Sequence, residues 1–175
     1  DEKITTLKGL LLAKPNSSYA ADAKFQLGET YVATDKDNDA LVYYDQVIKQ
    51  HPNSPHVRQS MLQAAEIHKR KGDANKAIEQ LKAIVAKYPT IDESKDALAA
   101  LENIYVEQGR VSEYETYVRS LSFVDPSTLD LDEKYYRSAE QLYFDGKCAQ
   151  AIGAFGDYLV KYPRGAFAQN AQFYR

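Results

Sequence analysis

Stripes at helical spacing run along the chain. Ala20, Lys24, Leu27 and Tyr31, and again Val57, Met61, Ala64 and His68, step by four, three and four residues, which aligns them on one face of an α-helix. A second stripe runs through Ala77, Leu81, Ile84 and Val85. The pattern predicts units of two amphipathic helices each. Their period is set by Pro15, Pro52, Pro89, Pro126 and Pro163, each 37 residues after the last, and a fixed period of that size marks a repeat architecture. Aligned on the prolines, Gly28, Ala65, Glu102 and Ala139 share a column, as do Ala40, Ala77, Tyr114 and Ala151, and Tyr44, Leu81, Val118 and Phe155.

The turn inside each unit is marked by Gly72, Gly109 and Gly146, with Asp35 in the first unit, at the position where a helix closes in the left-handed conformation. After the second helix come the proline and a new cap. Ser54 precedes Pro55 at the first helical position, and Thr90 with Glu93 forms a capping box.

The columns resemble the tetratricopeptide repeat, whose 34-residue unit reads W-x2-L-G-x2-Y, then A-x3-F, then P. The first repeat has Leu27, Gly28, Tyr31, Ala40, Tyr44 and Pro52 at those spacings, with Lys24 in the tryptophan position; the fourth has Tyr135, Ala139, Ala151, Phe155 and Pro163. The resemblance implies an all-α fold, a right-handed superhelical solenoid of antiparallel helix hairpins. Three extra residues fall between the proline and the core of the first helix, which predicts a first helix elongated at its start. This longer form is similar to repeats of bacterial cell-envelope proteins, of the Tol-Pal accessory and outer-membrane assembly lipoprotein type, and so favours the periplasm or outer membrane.

The expected division is residues 1–14 as the second helix of a truncated repeat, 15–51, 52–88, 89–125 and 126–162 as four repeats, and 163–175 as the first helix of a truncated following repeat. In the opening segment Ile4, Leu7, Leu10 and Leu11 fall in core columns, and Phe173 falls in the column of Phe25. The third repeat departs from the pattern, with Glu102 and Tyr114 where small residues let paired helices approach. Overpacking of that kind costs about 1–3 kcal/mol unless the backbone adjusts. The expectation is a splayed hairpin, with Ser112 and Glu115 restarting the helix through a second capping box.

Composition narrows the function. The chain of 175 residues is 44% hydrophobic and carries a net charge of −3 with both signs interspersed, so it lacks the basic footprint of a nucleic-acid binder. No apolar run approaches the roughly 18 residues of a membrane span. Cys148 is the single cysteine, which excludes an internal disulfide. Asp35, Asp37 and Asp39 imitate the start of a calcium loop, yet Ala40 replaces its glycine and Gln46 its bidentate glutamate; an acidic helix start is the favoured reading. His51, His56 and His68 fall in a loop, an early helical turn and a core column, which makes no ligand set. No catalytic constellation, cofactor loop or metal site emerges.

What remains is surface. In the family the resemblance names, first helices line a concave groove, which implies three exposed columns: Phe25, Leu62, Ala99 and Tyr136; Glu29, Glu66, Asn103 and Glu140; Ala33, Arg70, Glu107 and Phe144. An apolar ladder beside an acidic one predicts a non-catalytic scaffold that binds a protein or peptide segment. Two alternatives stand beside it. One is a structural or assembly role through the convex surface or through exposed repeat ends, with self-association at Leu7 and Phe173; the other is the regulatory arm of an enzyme whose catalytic domain lies elsewhere.

Overall fold

The computed structural model describes residues 2–175, and all regular secondary structure among them is helical. The chain divides into two compact units, one ending at Tyr88 and one starting at Pro89. In the first, α1 (Glu2–Ala13), α2 (Ala20–Val32), α3 (Asp37–Gln50), α4 (His56–Arg70) and α5 (Ala74–Lys87) each pack on the next, and α2 also meets α4. In the second are α6 (Ile91–Glu107), α7 (Val111–Arg119), a 3-10 turn at Pro126–Thr128, α8 (Leu131–Phe144), α9 (Cys148–Lys161) and α10 (Ala168–Phe173). There α6 packs on both α7 and α8, and α9 lies between α8 and α10. The architecture is an all-α array of helical hairpins.

Each hairpin turns in the same way. Asp35, Gly72, Gly109 and Gly146 have φ of 56°, 82°, 73° and 74°, and the next residue's N–H reaches back to the carbonyl of Tyr31, His68, Tyr105 or Leu142 at 2.8–2.9 Å. That six-to-one bond is the Schellman closure, and it satisfies a carbonyl the helix end would otherwise leave open. Asp35 adopts the left-handed conformation without being glycine, which acidic and amide side chains tolerate better than others.

Apolar burial follows the stripes. Leu27, Tyr31, Ala40, Tyr44, Ala64 and Ile67 form one core cluster, against which Ile4, Leu7 and Leu11 of α1 pack. Leu10, expected in that set, is partly exposed at 36%. In the second unit Tyr136, Ala139, Leu142, Ala151, Phe155 and Tyr158 form the corresponding cluster with Ala168 and Ala171 of α10.

Two expectations are corrected. The extra residues after the proline do not lengthen α2 or α4: Pro15–Tyr19 and Pro52–Pro55 run as turns, with Ala20 and His56 the first helical residues. Ser54 Oγ accepts from His56 N at 3.2 Å, a local bond that holds the turn open. α6 begins directly after its cap, where Thr90 Oγ1 accepts from Glu93 N at 3.3 Å and donates to Glu93 Oε2 at 2.9 Å.

In the third hairpin α7 starts at Val111 rather than beyond Ser112, with Arg110 before it ion-paired to Glu113 at 2.7 Å. Glu115 makes no capping box; it accepts from Tyr135 at 2.9 Å and also receives Lys161 and Arg119. Helix α7 is 9 residues long, and Tyr114, only 2% exposed, tilts against Tyr105 and donates to Glu102 at 3.2 Å. Glu102 is drawn outward to Lys134 at 3.2 Å.

Candidate functional site

The five candidate residues of the first unit lie on α2 and α4. Phe25 is half-buried, stacked on His56 with centroids 4.6 Å apart at 11° and tilted against Tyr44 at 6.0 Å and 50°. Tyr44 is fully buried because Gly28 leaves room for its ring: a Cβ there would stand 2.5 Å from Tyr44 Cε1. One residue on, the exposed Glu29 accepts the Tyr44 hydroxyl. Burial first, and then the Glu29 carboxylate, push the Tyr44 hydroxyl well above its ordinary pKa, so it stays a donor.

On α4, Leu62 is half-buried and Glu66 exposed. Arg70 is committed elsewhere, with Nη2 2.5 Å from Asp37 Oδ1 and Nε 3.2 Å from Asp37 Oδ2. That bond raises the guanidinium further and occupies a carboxylate of the calcium-like acidic stretch.

The second unit holds the other five. Tyr136 is buried, stacked on Phe167 at 4.6 Å and 13° and tilted against Phe155 at 5.8 Å and 53°. Its hydroxyl donates to Glu140 Oε1 at 3.2 Å. Asn103 and Glu107 are exposed near the end of α6, in a cleft shared with Glu133, Lys134 and Arg137. Phe144 is 70% exposed and meets the edge of Tyr143 at 5.7 Å.

Phe25 and Tyr136 are therefore not open rungs of an apolar ladder. Each is covered by an aromatic ring 31 residues further on, His56 or Phe167, from the start of the next first helix. That spacing is visible in the sequence, and it is the signal that would have found these stacks. What each face leaves in water is a carboxylate steadied by a tyrosine hydroxyl, beside a ring edge.

One buried polar residue serves packing. Lys24 is 8% exposed and donates to Gln50 Oε1 at 2.6 Å, with His51 Nε2 at 3.0 Å; burial lowers its pKa. It ties the start of α2 to the end of α3. Among the described residues no three His, Cys, Asp or Glu gather as a metal site, and no helix is long and apolar enough to cross a membrane.

Comparison with known proteins agrees with this architecture. The tetratricopeptide-repeat profile matches residues 22–54 and 59–90, both in the first unit apart from the last two positions. A crystal structure of a tetratricopeptide repeat protein from Parabacteroides merdae is similar, with a TM-score of 0.60 and 16% identity over 92% of this chain. The chain spans 59% of that protein's length. At that identity the likeness shows the fold. No curated protein matched the sequence.

Proposed function

We propose that the chain is a protein-interaction scaffold whose first-helix faces hold a partner segment carrying basic and apolar residues. Tetratricopeptide repeats generally mediate protein–protein contacts. The observation that carries the finer reading is the pairing of Tyr44 with Glu29 and of Tyr136 with Glu140. In each unit a hydroxyl occupies one side of a surface carboxylate, while no cation among the described residues pairs with it. Such a carboxylate is ready to accept from a lysine, an arginine or a main-chain amide.

Leu62 and Glu66 extend the first face; Asn103, Glu107 and Phe144 extend the second. Partner recognition is by rigid presentation of side chains rather than catalysis, and the long repeat period supports a setting in the bacterial cell envelope. A labelled extended peptide with alternating lysine and leucine tests the reading by fluorescence anisotropy, with an aspartate–leucine peptide as control. Glu66→Lys and Glu140→Lys should each weaken the basic peptide about tenfold, near 1.4 kcal/mol, with unchanged circular dichroism. Equal affinity for both peptides, or no effect of either variant, overturns it.

A further inference from the structure

Lys24 places a cation in a column that the other repeats fill with Met61, Leu98 and Tyr135. It is 8% exposed, yet its Nζ has only neutral partners, Gln50 Oε1 at 2.6 Å and His51 Nε2 at 3.0 Å. No carboxylate among the described residues pairs with it. A buried ammonium without a counter-ion is costly, and such a group responds by releasing its proton more readily. An ammonium donates and cannot accept, so His51 Nε2 is the acceptor and the neutral imidazole carries its proton on Nδ1. Burial and then the Lys24 charge hold that imidazole below its usual pKa.

The same lysine lines a cleft of about 420 Å³ bordered by α1, α2 and α3, with Leu11, Leu12 and Pro15 as its apolar wall and Tyr43 and Gln46 contributed by α3. That size falls within the range of small-ligand sites. Lys8 lines the cleft as well, and the two lysines are opposites. Lys8 is exposed and rests over the Tyr31 ring at 5.5 Å, and a hydrogen bond with Tyr31 leads the causes that raise its pKa. Burial lowers that of Lys24. Once deprotonated, the Lys24 amine has two N–H bonds for its two acceptors, Gln50 and His51, and a lone pair directed away from both. A desolvated amine of this kind is a nucleophile.

We propose that Lys24 captures small apolar aldehydes, which enter by this cleft, as an imine. The lone pair adds to the carbonyl carbon and forms the C–N bond while the C=O π pair moves to oxygen. A proton passes from nitrogen to that oxygen, and water leaves as the C=N bond closes; nothing is oxidised or reduced. The alkyl tail lies on Leu11, Leu12 and Pro15. This chemistry uses none of the first-helix carboxylates and does not depend on partner binding there.

The test treats the 175-residue chain at pH 7 with hexanal or acetaldehyde, fixes each imine with sodium cyanoborohydride, and reads every lysine by peptide mass spectrometry. With hexanal, Lys24 should be labelled at least about tenfold faster than Lys8, as one unit between their pKa values would give. Acetaldehyde, which lacks the tail, should show a smaller preference. Gln50→Glu, a same-shape change at an exposed position, sets a carboxylate beside Nζ and holds it as ammonium. That variant should cut Lys24 labelling about tenfold and leave Lys8 unchanged. Equal labelling of Lys24 and Lys8 by hexanal overturns the site. Acetaldehyde with the same preference as hexanal overturns the tail contact, and Gln50→Glu labelled at the parent rate overturns the neutral amine.

Discussion

In the first unit Phe25 lies between His56 and Tyr44; in the second Tyr136 lies between Phe167 and Phe155, at nearly the same distances and tilts. The rings occupy matching columns, and both sets support a glutamate in one column, Glu29 or Glu140. What differs is which ring carries the hydroxyl. In the first unit it comes from the second helix through Tyr44, in the other from the first helix through Tyr136. Geometry is held by ring positions, and the hydroxyl can arrive from either side because both rings border the glutamate. Column-by-column residue identity is thus a poor guide to which side chains pair.

The comparison breaks most visibly if one ring of each set is removed. Tyr44→Ala and Phe155→Ala each delete a fully buried aromatic and should each cost about 3–5 kcal/mol, read by urea unfolding. A loss under about 1 kcal/mol at one site alone would end the equivalence.

Next comes the column beneath those rings, which is Gly28 in one set and Ala139 in the other. Gly28→Ala gains about 0.5–1 kcal/mol of helix propensity but drives a methyl into the Tyr44 ring, an overpacking worth about 1–3 kcal/mol. A net fall in Tm is expected. Ala139→Gly should also lose stability, through propensity and a small void, because Phe155 already packs beside a methyl there.

The smallest effect is that of the hydroxyl itself. Tyr44→Phe should cost about 1 kcal/mol, and adding Phe25→Tyr, which copies the arrangement of the second unit, should recover part of it. The sign with pH follows from the raised Tyr44 pKa. The folded chain keeps a proton that an unfolded tyrosine loses near pH 10, so this contribution is whole below that pH and declines as pH rises above it. Tyr44→Phe should flatten the alkaline limb of the stability curve.

Much of the fold was legible because its signals are local. The proline ruler, the two stripes and the left-handed turn positions depend on residues a few places apart, and Asp35 was identified as a turn residue by its column alone. The third hairpin shows where that fails. Ser112 and Glu115 have capping-box spacing, yet Glu115 is engaged by Tyr135 and by Lys161, the latter 46 residues away. Burial raises that carboxyl, but the hydrogen bonds from Lys161, Tyr135 and Arg119 outweigh it and leave it below the usual range. A tertiary demand took the side chain a local rule had assigned to the helix start.

The candidate face was legible as positions and not as exposure. Its columns were correctly placed on first helices, but whether a ring in them faces water depends on what the next repeat contributes. His56 and Phe167 settled that for Phe25 and Tyr136.

The hydroxyl tether has a consequence for affinity. A glutamate that grips a cation gives up rotamer freedom, about 0.5–1.5 kcal/mol for an interfacial side chain. Glu29 and Glu140 have surrendered part of that entropy on folding, whereas no hydroxyl among the described residues reaches Glu66. Three carboxylates of equal charge are thus unequal in preorganisation, and a basic partner gains most where the ordering was completed before it arrived.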